Sequence, residues 1–457
     1  MNQKPERIAI LLLLILGCSY QLGIASNPKK LLLKRTVGDL RKNNPVQELQ
    51  DHLGSNPYFP YKPIAGYVDI YDQGNSMFYW LSPARENPNT APIIIWLEGG
   101  PGISSVGSLF YYLGPLEVID YPKKNKKATI RKVSWNQRAN IVFPDYPLGT
   151  GFSTNTASHV TLTGKEIQYQ ILKFYEGFLK KHPEFKRRPI YVAGRSYGGH
   201  GATYTAYALK YSGNQDIDVK GLFITSGLIS GPIMYGSYPE FAYQNQKYTE
   251  LSKEDYETAS QGRDVCVHLM EQGPNNLYAY NGFFTCEIFL GELVENILKK
   301  KPYFDTHYMP GHFPYDYTYV NFLNSTGVKE YLQVKKNKNF IFSNNTIFET
   351  VGSRDIRIDV SPLIGRMLDD GVKTYVIDGE VDFICNYQQS QKSFTEMDWS
   401  GKQGWAKAVR KPCKYGLCKE YKNLRQIRVP GSGHGISLYR PKVGLELINE
   451  FMFGENN

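Results

Sequence analysis

The sequence predicts an α/β fold: a mostly parallel sheet flanked by helices and interrupted by a largely helical insertion. Three observations predict it. Short apolar, β-branched runs recur along the chain between glycines and prolines, as strands covered on both faces do. Stretches with apolar residues three and four apart lie between several of them. One such strand, Ile190–Ala193, runs into GRSYGGH at Gly194–His200, where two glycines flank Ser196 and helix formers follow from Ala202 to Leu209. That is the spacing of a nucleophile elbow, a strained strand-to-helix turn with room only for glycine on either side. A lone GxSxG is as readily a glycine-rich turn, so the surroundings have to decide.

Taken in order, the chain opens on a targeting segment over residues 1–25. Lys4 and Arg7 precede the apolar run Ile8–Leu16, and Gly23, Ala25 and Ser26 follow, the pattern of a cleaved signal peptide. The run is too short for a comfortable membrane span and no later stretch is long enough, so no stable membrane anchor is expected after cleavage. Residues 26–60 are polar, an N-terminal arm or short propeptide. Gly66–Tyr71 and Ser76–Leu81 read as strands joined by DQGN, a hairpin. Ile93–Leu97 is a strongly apolar strand entering EGGPG at Glu98–Gly102, and Ile141–Pro144 is another, ending in DYPLGTGFS. Lys165–Leu179 has helical periodicity, and Gly221–Thr225 supplies a strand after the elbow. Over 231–352 the alternation breaks down and Tyr, Phe and Asn accumulate. That region is expected to be an insertion or cap dividing a core built from 26–230 and 353–457. Strands return at Thr374–Ile377 and Leu424–Val429, and Pro441–Phe453 closes the chain as an amphipathic helix.

With 457 residues, 41% of them hydrophobic, the chain can bury one sizeable core carrying an insertion. Its formal charge of +10 is spread over short clusters such as Lys123–Lys127 and Lys299–Lys301. No long basic helix or aromatic-interleaved stripe accompanies them, which excludes a nucleic-acid surface. N-x-[ST] sequons at Asn324 and Asn344 suit N-glycosylation on the secretory pathway. Once Cys18 leaves with the signal, an odd number of cysteines remains, so at least one thiol is free or intermolecular. Sequence proximity favours the pairs Cys266–Cys286 and Cys413–Cys418, with Cys385 unpaired.

A serine nucleophile needs a base, and the base needs a third group to hold it. In an α/β-hydrolase order, the acid and then the histidine follow the serine, each on a loop beyond a strand end. Of the downstream histidines, His434 alone follows a sheet-like strand and sits in a glycine-rich loop. His200 is too close along the helix to reach back to Ser196, and His268, His307 and His312 fall in the insertion. Asp382 lies just beyond the strand ending at Ile377, with Asp378 and Glu380 as competitors that pattern does not separate. Two backbone N–H groups are needed for the oxyanion. Tyr197, after the nucleophile, and Gly100, in the GGPG loop, are the candidates. No cofactor is required, and Pro310 breaks any helix that would align His307 and His312 as metal ligands.

These residues resemble the serine carboxypeptidase family. WLEGGPGISS at Trp96–Ser105, SWNQRANIVFPDYPLGTGFS at Ser134–Ser153, GRSYGG, DGEVDFICN at Asp378–Asn386 and GSGHG at Gly431–Gly435 match it in kind, order and spacing over nearly the whole mature chain. The resemblance implies an α/β-hydrolase fold with a helical insertion and a Ser196, Asp382, His434 triad. It also implies an oxyanion hole from Gly100 and Tyr197, and a lysosomal, vacuolar or extracellular setting. Cys385 matches a family cysteine that is usually free and near the active site. The expected activity is release of C-terminal residues from peptides or proteins. An acyltransferase or esterase using the same acyl-enzyme, and a binding protein keeping the fold, are the alternatives.

The departures from the family pattern cluster. Glu98 stands where the family has an asparagine, and Arg195 and Tyr112 stand where it has glutamates. In the family those three groups bind the substrate's terminal carboxylate, the glutamates in protonated form, which ties the enzymes to acid pH. Ile103 replaces a disulfide cysteine, and Gly435 replaces the methionine after the histidine. Two readings follow. Arg195 binds the substrate carboxylate directly, with no protonated acid needed. Or Glu98 pairs with Arg195 and cancels it, since such a pair attracts by roughly 4 kcal/mol at an effective dielectric near 20.

Overall fold

A computed structural model describes residues 64–454, except 73, 119–127, 157–160, 246–248, 250, 273–276, 294 and 296–317. The described residues belong to one compact unit, Pro45–Asn457. The signal segment, both lysine clusters, His307 and His312 lie outside them.

The first half of the chain supplies strands β1 (Ile64–Asp69), β2 (Ser76–Ser82), β3 (Ile93–Leu97), β4 (Leu116–Val118), β5 (Ala128–Ile130), β6 (Asn140–Pro144), β7 (Pro189–Ser196) and β8 (Asp218–Gly227). The second half adds β9 (Lys373–Gly379), β10 (Lys411–Cys413), β11 (Gly416–Tyr421) and β12 (Leu424–Val429). Ten of the strands form one sheet in the order β1-β2-β6-β3-β7-β8-β9-β12-β11-β10; β4 and β5 pair separately. The centre, β6 through β12, is parallel throughout, and antiparallel pairs flank it on both sides. The hairpin expected around DQGN joins β1 to β2.

Alternation along each central strand fills two cores. In β3, Ile93, Ile95 and Leu97 face one side while Ile94 and Trp96 face the other. The first side is covered by α2 (Gly164–Lys181), which follows α1 (Ser105–Tyr111) in the chain, and by α3 (Gly198–Lys210). Thr163 and Glu166 close a capping box at the start of α2, and Ile167, Ile171, Phe174 and Phe178 form its buried stripe. Each such side chain contributes roughly 1.5–3 kcal/mol of burial. The opposite side is covered by α1 and by the C-terminal helix Pro441–Phe453, through Leu447, Ile448 and Phe451.

Between β8 and β9 the described segments are helical. They include α4 (Gly231–Gln244), α5 (Lys253–Met270), α6 (Leu277–Glu292), α7 (Thr318–Leu323), α8 (Thr326–Tyr331), α9 (Asn345–Asp355) and α10 (Ser361–Asp369). A disulfide joins Cys266 in α5 to Cys286 in α6, and a second joins Cys413 to Cys418 across the β10–β11 hairpin. Cys385 is a buried free thiol. None of the described helices is long and apolar enough to cross a membrane.

Candidate active site

The C-terminal ends of β3, β6, β7, β9 and β12 lie along one edge of the sheet, where open α/β sheets bind ligands. The loop after each strand brings one group. Ser196 ends β7 with φ +59, the strained left-handed conformation of an elbow. Its flanking glycines are forced by contact: a Cβ on Gly194 would fall 2.1 Å from Gly198 O, and one on Gly198 would fall 2.3 Å from Leu97 O. Ser196 keeps part of its surface exposed, as a group that must meet substrate does.

Beyond β9, Asp382 is fully buried and its Oδ2 lies 2.9 Å from His434 Nδ1. Its Oδ1 accepts the Cys385 N–H at 3.1 Å. The competing acids point elsewhere. Asp378 accepts from Ser390 and Gln426, and Glu380 accepts the Gly431 N–H. Burial, followed by the Asp382 charge, holds the Cys385 thiol well above the ordinary thiol range. It is neutral, and packs against Met234. Among the other histidines, His200 bonds Asp355 and His268 bonds Gln272.

The GGPG loop is pressed against the elbow. A Cβ on Gly99 would fall 2.5 Å from Ser196 Cβ. The Gly99 N–H is used locally, on Glu98 Oε1 at 3.0 Å. Gly100, at φ +104, keeps its N–H without a partner among the described residues, as does Tyr197. Two side chains that no motif pointed to hold this loop. The Tyr146 hydroxyl donates to Glu98 O at 2.7 Å, and Asp145 accepts from Ser104 Oγ and from the Val106 and Phe152 N–H groups. Both lie in the quoted DYPLGTGFS stretch, which carried no sign of what they brace.

Glu98, Arg195 and Tyr112 interlock. Arg195 Nε donates to Glu98 Oε1 at 2.9 Å, and its Nη1 donates to the His434 carbonyl at 3.3 Å. The guanidinium carbon sits 4.8 Å above the Tyr112 ring. On Glu98 Oε2, the Tyr112 hydroxyl donates at 2.9 Å and Ser108 Oγ donates as well. Glu98 and Arg195 are 2% and 6% exposed, so a buried carboxylate here is matched by four donors. Burial alone would raise the Glu98 carboxyl; Arg195 and the donors outweigh it and hold it below the usual carboxylate range. Arg195 is likewise held above its ordinary value, because the Glu98 charge outweighs burial. Gly435 makes the space for this. At φ +122, a Cβ there would lie 2.9 Å from Arg195 Nη1. Among the described residues, Arg195 Nη2 has no partner, and it is not sealed from solvent.

Both sequon asparagines are partly buried and hydrogen-bonded to main chain. Asn324 pairs with Phe340 through both amide atoms, and Asn344 caps α9 while donating to Gly149 O at 3.2 Å.

A family model described as serine carboxypeptidase matches residues 54–454. Among similar curated proteins, serine carboxypeptidase-like 48 of Arabidopsis thaliana is 29% identical over 409 residues, covering 86% of this chain and 78% of that one. Carboxypeptidase Y of Candida albicans is 27% identical over 417 residues, covering 86% and 74%. A solved prohormone-processing carboxypeptidase from Saccharomyces cerevisiae superposes with a TM-score of 0.72 at 21% identity, covering 85% of this chain and 91% of that one.

Proposed function

The chain belongs to the serine carboxypeptidase family and is a serine-type peptidase, and from that premise we propose that it releases C-terminal residues of peptides through an acyl-enzyme on Ser196. In this reading His434 takes the Ser196 proton as the hydroxyl attacks the scissile carbonyl. It then returns that proton to the leaving amine, and afterwards activates the water that hydrolyses the ester. Asp382, on Nδ1, holds the tautomer that leaves Nε2 as the base. The Gly100 and Tyr197 N–H groups receive the oxyanion.

The observation that carries the substrate assignment is the Arg195 bond to the His434 carbonyl. The leaving amine must lie beside His434, and its α-carboxylate is only one carbon further on. A guanidinium tied to the His434 main chain is therefore within reach of that carboxylate. Glu98 occupies the Nε edge and leaves Nη2, so pairing and carboxylate binding are compatible. The magnitude is reduced. At an effective dielectric near 20, a carboxylate about 4 Å from Arg195 gains roughly 4 kcal/mol and loses about 2.6 to Glu98 at about 6.5 Å. A net attraction of about 1.5 kcal/mol corresponds to roughly a tenfold preference for a free C-terminus.

No group in this set has to be protonated to bind a carboxylate. KM for an N-blocked dipeptide is therefore expected to stay flat from pH 5 to pH 8, with kcat/KM about tenfold above that of its C-terminal amide. Assaying the dipeptide, its amide and a simple ester over that range checks this. Turnover of the ester alone would move the assignment to an esterase or acyltransferase. Failure of an organophosphonate to label Ser196 in the folded protein would move it to a binding protein. Two disulfides support an oxidising compartment on the secretory pathway.

A further inference from the structure

Behind the elbow lies a buried polar cluster that the triad does not use. Asp355, the last residue of α9, is 2% exposed. Its Oδ2 accepts the Tyr197 hydroxyl at 2.7 Å and lies 3.0 Å from His200 Nδ1, while its Oδ1 accepts the Tyr204 hydroxyl at 3.0 Å. Burial and then the Asp355 charge raise the Tyr197 phenol well above its ordinary range, so it remains a donor. Tyr197 is the residue whose main-chain N–H is offered to the oxyanion. The residue is 2% exposed, and its ring lies tilted against that of His200, 5.4 Å between centroids.

The other end of the same helix meets the other donor. At the N-cap of α9, the Asn344 N–H donates to Gly102 O at 3.0 Å, and the Ser104 N–H donates to Phe342 O at 3.0 Å. Ile103 and Ser343 form an isolated antiparallel bridge. The contact is close, since a Cβ on Gly102 would lie 2.9 Å from Asn344 O and 3.1 Å from Ile347 Cβ. Helix α9 thus touches the GGPG loop at its start and the elbow residue at its end. An α-helix is stiff along its axis, so an element fixed at both ends sets the separation of what it holds.

We propose that α9 is a strut for the oxyanion hole and that Asp355 is a positioning residue acting on the reaction through the Tyr197 hydroxyl. The physical ground is that an oxyanion donor contributes only when its direction is set before the charge develops. Losing a whole donor costs about 10²–10³ in rate. Loosening one should cost less, about tenfold.

The assignment rests on the serine-hydrolase reading of Ser196 but not on the carboxylate reading of Arg195, so the test uses both an activated ester and the blocked dipeptide. Tyr197→Phe deletes one hydroxyl and keeps the ring and the main-chain N–H. Asp355→Asn is the second variant. For Tyr197→Phe, kcat on both substrates and affinity for a peptidyl boronic acid, a tetrahedral mimic, should fall together by about tenfold. KM and the affinity of a product-like competitor should stay within twofold. Adding Asp355→Asn to Tyr197→Phe should lower kcat by less than the product of the single effects, because the two groups share one bond. The proposal is overturned if Tyr197→Phe leaves boronate affinity unchanged. It is equally overturned if boronate and product affinities fall alike, which would mark a general loss of structure.

Discussion

Arg195, Glu98, Tyr112 and Gly435 change together, and the reason is volume and charge at one point. A guanidinium in this position needs an anion because it is buried, and Glu98 supplies it at 2.9 Å. It also needs space, and Gly435 supplies that by having no Cβ. Gly435→Met is therefore expected to destabilise the fold by about 1–3 kcal/mol, from the strained φ alone. It should also push Arg195 off the His434 carbonyl and erase the dipeptide-over-amide preference. Urea denaturation and the ratio of the two kcat/KM values check both. All four residues were legible in the sequence as departures from a pattern. That Glu98 takes only the Nε edge was not, because side-chain geometry at a strand end depends on two loops far apart in the chain. The sequon at Asn344 hid a similar fact, since its side chain is the cap of α9.

At the scale of elements, the long apolar strands were visible because burial on both faces leaves no polar positions to confuse the pattern. β3 and β12 run over the expected residues, and β7 and β8 extend a few residues beyond theirs. The edge hairpin β10–β11 was not visible: KPC and GLCKEY are short and polar, and their pairing is antiparallel at the margin of the sheet. The stretch between β8 and β9 was expected to be largely helical, but its separate helices were not delimited in the sequence, since their packing partners lie elsewhere in that stretch and on the sheet. Helix α2 is the counter-case, a stripe readable at a glance. Phe174 in that stripe is fully buried against Tyr79 and Phe178. Phe174→Ala should cost about 3–5 kcal/mol. The check is a lower denaturation midpoint at unchanged m-value, with kcat retained in the folded fraction.

Across the whole molecule, buried acids couple stability to pH in opposite directions. Burial pushes the Asp145 and Asp378 carboxyls up to about 6 from an ordinary 3.8. The folded chain then keeps protons that the unfolded chain releases. The stabilisation is full below about pH 4 and is lost as pH rises through about 6, on the order of 3 kcal/mol for each group. Glu98 acts the other way, adding stability above its ordinary pKa that disappears as the pH falls through its lowered one. Stability is thus expected to be highest near pH 4, to fall as pH rises to about 6.5 and to level off above, a fall that Asp145→Asn and Asp378→Asn should flatten. Denaturant titrations at half-unit steps would refute this if wild-type stability were constant from pH 5 to 7.5. By itself the sequence determined the strand order of the chemistry, the elbow and the family, because local patterns of burial, glycine and spacing carry those directly. Tertiary structure alone decided that Asp378 and Glu380 bond elsewhere, how Arg195 and Glu98 share their bonds, and that helix α9 reaches both the GGPG loop and the Tyr197 side chain. Each of those depends on residues brought together from distant parts of the chain, where no local pattern records the distance between them.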